Sequence, residues 1–115
     1  MIQLKRAYEA VSPEDGERYL VERLWPRGVK KETLHIQGWL KEISPSAELR
    51  RWYGHDPAKW DEFQHRYRAE LDANPDGWHP LLSAVKSGKV TLVYGAKDTE
   101  RNSAAVLKAY LEARL

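Results

Sequence analysis

Val90-Thr91-Leu92-Val93-Tyr94, running into Gly95-Ala96-Lys97-Asp98-Thr99, decides the fold of this chain. The first five residues are β-branched or apolar on both parities, the pattern of a strand covered on both faces. The glycine-led turn passes into a helix packed through Ala104, Leu107 and Leu111, with Asp98 or Thr99 as the expected cap. A strand covered on both sides that feeds a helix points to a parallel sheet in an α/β protein.

Two more strands are expected upstream. Ile2-Gln3-Leu4-Lys5-Arg6 alternates apolar and polar, and Ser12-Pro13-Glu14-Asp15-Gly16 turns the chain into a second strand over residues 18–24. Pro26 stops that strand, because proline donates nothing to a ladder, and Gly28 relaxes the bend. Between the strands the chain reads as helical. Leu34, Trp39, Leu40 and Ile43 predict a weak helix broken near Gly38; Ser44-Pro45 caps a helix that carries Leu49 and Trp52 and closes at Gly54. Asp56-Pro57 opens the clearest helix, with Trp60, Phe63, Tyr67 and Leu71 on one stripe and Asn74-Pro75-Asp76-Gly77 as its end. A further helix is predicted from about Pro80 to Gly88. The expected architecture is a small single-domain α/β layer fold over residues 1–115, with a short, mostly parallel sheet flanked by helices. Segments 18–24 and 90–95 are expected to be neighbouring parallel strands.

Composition narrows the function classes. With 115 residues, 42% hydrophobic and 31% charged, the chain has one domain's worth of core and no run apolar enough to span a membrane. The first residues lack the apolar run of a signal peptide, so cytoplasm is the expected location. Cysteine is absent, which removes disulfides, thiolate metal sites and cysteine nucleophiles. A net charge of +2 is too balanced to imply nucleic-acid binding by itself. Five Trp and six Tyr against one Phe suit the walls of a polar cleft as well as a core.

Two loops concentrate chemistry. Residues 23–31 place Arg23, Arg27, Lys30 and Lys31 around Pro26 and Gly28, beside Trp25. A guanidinium held on a rigid turn grips phosphate or carboxylate through two parallel hydrogen bonds. Residues 95–102 lead from strand to helix, where free N–H groups attract anions and Lys97 adds a full charge. Neither a Walker A loop nor a G-x-G-x-x-G fingerprint is present. Ligands of open α/β sheets bind outside the carboxyl ends of the strands, so parallel neighbours would bring these loops to one cleft. His35, His55, His65 and His79 form no H-E-x-x-H motif or close pair, so no metal is expected.

The set Arg23-Leu24-Trp25-Pro26-Arg27-Gly28, Pro45-Ser46-x-Glu48-Leu49-Arg50, Tyr53-Gly54-His55-Asp56-Pro57 and Leu92-x-Tyr94-x-Ala96-Lys97-Asp98 with Asn102 resembles the YeaO-like family, a domain of unknown function numbered 488. The resemblance covers essentially the whole chain and implies no biochemical activity. Relatives of this kind commonly carry His where this chain has Arg101, and an acid at the position of Gln37. Arg in place of His keeps hydrogen-bond donors but removes the usual acid–base side chain, which shifts the expectation from chemistry toward binding.

The leading expectation is therefore a phosphate-bearing small molecule, nucleotides included, bound between the two loops, with turnover left open. Arg23 and Arg27 would clamp the anion, Lys97 neutralise it, Asn102 orient a polar group, and Trp25 or Tyr94 stack on a ring. Acid–base work would fall to Asp98, and after it His55. Two other classes stay open: a nucleic-acid accessory module using Lys30, Lys31, Arg50 and Arg51, and an interaction domain presenting the aromatic stripe of helix 57–72. A flat basic surface would mark the first, an exposed stripe the second. Cofactor and oligomeric state are not legible.

Overall fold

The apolar run at 90–94 becomes an inner strand of a sheet, covered on both faces. The structure, a computed structural model, describes residues 1–115. Its strands are β1 (Ile2–Arg6), β2 (Glu17–Leu20), β3 (Gly38–Trp39) and β4 (Val90–Tyr94), and its helices α1 (Lys31–Leu34), α2 (Ala47–Tyr53), α3 (Trp60–Asp72), α4 (Pro75–Ser87) and α5 (Ser103–Glu112). The sheet order is β1-β4-β2-β3, and every pairing is parallel. Leu92 sits opposite Leu4 on one side and Tyr19 on the other, so β2 and β4 are indeed parallel neighbours.

The alternating side chains of β4 divide the core. Val90, Leu92 and Tyr94 join a cluster of 19 buried residues drawn largely from α2, α3, α4 and α5. Val93 faces a smaller cluster of four, with Ala7, Leu20 and Leu34, roofed by Trp25, Val29, Ile36 and Trp39. One face thus carries four helices and the other a thin cover of loop and α1. The result is a small single-domain α/β fold, and no helix is long and apolar enough to cross a membrane.

Four local expectations are corrected. The second strand ends at Leu20 rather than 24, because beyond it the Gly95 N–H is taken by the Glu22 side chain instead of a ladder carbonyl. Trp39 lies not on a helix but in β3, where its indole N–H donates to Glu22 O at 2.6 Å and its ring meets Trp25 edge-on. The helical periodicity of Leu34, Trp39 and Ile43 was thus coincidental, broken by His35 in the left-handed region (φ 51). Asn74-Pro75-Asp76-Gly77 opens α4 instead of only ending α3: Pro75 takes the first turn, where its missing N–H costs nothing. Gly77 leaves room for the Asn74 side chain, whose nitrogen a Cβ would crowd at 2.4 Å and displace from Glu42 O. Lastly, the cap of α2 is Ser46, not Ser44: its hydroxyl accepts from Leu49 N–H and donates to Glu70, tying α2 to α3. Gly54 closes α2 as expected, with φ 54.

The stripe of α3 points inward. Phe63, Tyr67 and Leu71 are buried, while Trp60 at the helix start is only partly covered. That stripe is spent on the core and offers no exposed face to a partner.

Candidate functional site

The carboxyl ends of β1, β2 and β4 lead into three segments that are fastened to one another. Arg6, closing β1, donates from Nε to Ala96 O at 2.8 Å and so holds the segment after β4. The Tyr8 hydroxyl donates to Arg27 O at 3.0 Å, and the Trp25 indole N–H donates to Val29 O at 2.7 Å, closing the loop after β2 on itself. The two charged loops meet where Gly95 N–H donates to Glu22 Oε1 at 3.1 Å.

Between them and the start of α2 opens a cleft of about 530 Å³, in the range of small-molecule sites. Tyr53 and Phe63 supply apolar wall; Glu22, Arg27, Arg50, Arg51 and Arg101 supply charge. Burial pushes the Glu22 carboxyl above its ordinary value, opposed by the Gly95 N–H and by the charges of Arg50 and His55. Arg27, Arg50 and Arg51 have no carboxylate of their own chain within ion-pair distance, whereas Arg101 reaches Asp98 at 3.5 Å. The Arg50 Nε is buried without an acceptor.

Of the residues singled out in the sequence, Trp25, Arg27, His55 and Asn102 line this cleft; Arg23, Tyr94, Lys97 and Asp98 do not. Arg23 turns away toward the carbonyls of Pro45 and Ser44, beside a smaller groove of about 140 Å³. Tyr94 alternates into the helix-covered face and is 3% exposed, so it packs in the core instead of stacking on a ligand. Lys97 is exposed and is not part of the cleft wall. Asp98 is exposed too, and it is occupied: Oδ1 accepts from the N–H groups of Glu100 and Arg101, both at 2.9 Å. The Arg101 and Glu100 N–H groups hold its carboxyl below the ordinary value, which suits a loop lock rather than a proton donor. The cap of α5 is Asn102, not Asp98 or Thr99: Oδ1 accepts from Ala105 N–H and Nδ2 donates to Asp98 O. Both polar ends of Asn102 are spent on the turn, leaving it to shape the cleft wall. His55 stands at positive φ (56) with its ring tilted against Tyr53.

Glu22 was not singled out in the sequence, and Arg50 and Arg51 were not placed with the two loops. Glu22 fell inside the strand expected over residues 18–24; its position past the carboxyl end of β2 was the available signal. Arg50 and Arg51, grouped in the sequence with Lys30 and Lys31 under the nucleic-acid alternative, line the cleft, whereas the two lysines do not. Arg101 lines the cleft at the position where the resemblance puts His; Gln37 does not. Nowhere do three or more His, Asp or Glu side chains gather as metal ligands would.

The family model described as "Inactive DUF488-N3 subclade" matches residues 1–115. The uncharacterized protein YeaO of Escherichia coli (strain K12) is 42% identical over 110 residues, which is 96% of either chain. Uncharacterized proteins of Mycobacterium bovis and Mycobacterium tuberculosis are each 38% identical over 113 residues, 98% of this chain and 95% of theirs. No solved structure is significantly similar. With the model matching along its full length and these relatives covering nearly all of it, the chain belongs to the YeaO-like DUF488 family, in the subclade described as inactive.

Proposed function

We propose that this protein binds a phosphate-bearing small molecule, nucleotides included, in the cleft between residues 23–31 and 95–102, and does so without turning it over. One observation carries the reading: Arg27, Arg50 and Arg51 line the same cleft with no carboxylate partner of their own. Cations gathered around one cleft repel one another, the more so where water is displaced. An anion relieves that repulsion, and guanidinium groups match phosphate oxygens two at a time. Binding without turnover is favoured by the family's description as inactive, by Arg101 in the place of His, and by the engagement of Asp98 in its own turn. No other group in the cleft pairs with His55 as an acid–base couple would.

The test is thermal melting with and without phosphate, sulfate and nucleoside monophosphates, on the parent, Arg27→Ala and Arg50→Ala. A ligand at one hundred times its dissociation constant stabilises the native state by about 2.7 kcal/mol. The parent should gain several degrees with at least one of these anions. Both variants should fold, melt no lower than the parent without ligand, and lose the gain. A parent indifferent to the whole panel would overturn the reading. Variants that melt far lower without ligand would show that these arginines serve the fold instead.

A further inference from the structure

The cationic side of the cleft explains an anion; it does not explain Glu22. A carboxylate at the floor of a site for phosphate opposes that ligand unless it serves another part of it. Glu22 Oε1 accepts from Gly95 N–H at 3.1 Å, and no other hydrogen bond or ion pair reaches the side chain. Its other oxygen is not among the atoms buried without a partner, so it keeps contact with the open cleft. Anchored at Oε1 by the Gly95 N–H, the carboxylate keeps Oε2 and a second lone pair on Oε1 able to accept. The same cleft leaves apolar surface in water: Leu24 is 67% exposed and Tyr8 49%, and Trp25 lines it too.

We infer that the cleft accepts a guanine nucleotide, with Glu22 taking the base's donor edge and the arginines its phosphate. This rests on the phosphate-binding reading above and names its ligand class. An ionised carboxylate only accepts hydrogen bonds, through two oxygens side by side. Among the common bases only guanine presents two adjacent N–H donors, N1–H and the 2-amino group, on one edge. Adenine and cytosine set a ring nitrogen acceptor next to their amino group, and uracil flanks its single N–H with carbonyls; each would push an acceptor at the carboxylate. The exposed faces of Leu24 and Tyr8 offer cover to a planar ring, whose burial is favourable.

The experiment is isothermal titration calorimetry of the parent and Glu22→Gln with GMP, IMP, AMP and inorganic phosphate. Glutamine keeps an oxygen for Gly95 N–H, and circular dichroism checks that the variant is folded. A bidentate base contact is worth about 1–3 kcal/mol, so GMP should bind roughly tenfold or more tightly than AMP. IMP, which lacks the 2-amino group, should fall between them. Glu22→Gln should erase the preference for GMP while leaving phosphate affinity unreduced. If the parent binds GMP and AMP equally, or if the preference survives in Glu22→Gln, the inference fails and phosphate binding stands. If neither inorganic phosphate nor any nucleotide binds, both fall together.

Discussion

At the scale of single residues, the largest electrostatic commitment lies away from the cleft, below the start of β2. Asp15 is 1% exposed and accepts from Arg18 Nη1 at 2.7 Å, from Lys5 Nζ at 3.0 Å and from Ser12 N–H. Its main-chain carbonyl receives the Thr91 hydroxyl of β4, and Arg18 also donates to Leu34 O, so one charged group links β1, β2, β4 and α1. Burial alone would raise the Asp15 carboxyl; the hydrogen bonds from Lys5, Ser12 and Arg18 outweigh it and hold the group below its ordinary value. Removing one partner of a buried ion pair strands the other, so Asp15→Ala should cost about 3–5 kcal/mol in urea unfolding. Asp15→Asn tests the charge itself. A carboxyl lowered by folding contributes stability that is complete above its unfolded-state value and lost as pH falls through the folded-state value. The gap between parent and Asp15→Asn should hold at neutral pH and shrink below about pH 4. A gap unchanged into strong acid would show that the carboxylate is not favoured by folding.

At the scale of elements, α3 is the hub of the helical layer, packed against α2, α4 and α5, while α5 joins that layer to β1 and β4. Phe63 stacks on Tyr53 of α2 with ring centroids 4.4 Å apart, and on Trp60 at 5.7 Å. Tyr67 donates its hydroxyl to Ile43 O, and the Tyr110 hydroxyl of α5 reaches Asp72 at 2.6 Å. Phe63 is 2% exposed and its removal leaves a void that neighbouring rings cannot fill without tilting. Phe63→Ala should therefore destabilise by about 3–5 kcal/mol in chemical denaturation, as other large-to-small core changes do. A loss under a kilocalorie would show that this stripe does not hold the core. Trp60, placed on the same stripe by periodicity, contributes less burial because it begins the helix, where the stripe has not yet turned fully inward.

The whole molecule is asymmetric about its sheet, and this sets where it opens. Nineteen buried residues lie in the helix-covered cluster and four in the cluster under residues 25–36. Local opening follows the amount of apolar burial and the number of paired backbone groups that must be given up. Native-state hydrogen exchange should find the amides of β4 and α3 opening only with global unfolding. Amides of residues 26–37 should exchange through a lower-energy local opening, slowed by any ligand that bridges the cleft. Uniform protection across both faces would contradict this division. The same asymmetry explains why one wall of the cleft, the loop carrying Trp25 and Arg27, is the thinner one: it is roofing for the smaller cluster.

Local pattern by itself determined much of this protein. The two-sided apolar run at 90–94, the alternation at 2–6, the stripe of α3 and the closing Gly54 each depend on residues a few positions apart, whose effect is steric or amphipathic. The parallel neighbourhood of β2 and β4 followed because each strand feeds a loop and then helical sequence. Tertiary structure decided the rest, because long-range partners are invisible to periodicity. Trp39 became a strand residue by donating to Glu22 O, and Asn102 became the cap by closing on Asp98 O and Ala105 N–H. At the cleft, charge and position in a loop do not reveal which way a side chain turns: Arg27 and Trp25 line it, whereas Arg23 and Lys97, from the same loops, do not. Glu22 and Arg50 are 28 positions apart in sequence and line one cleft only because α2 is docked near the carboxyl end of the sheet. Which charges face one another is a property of that packing, since an ion's neighbours in space, not in sequence, set its energy.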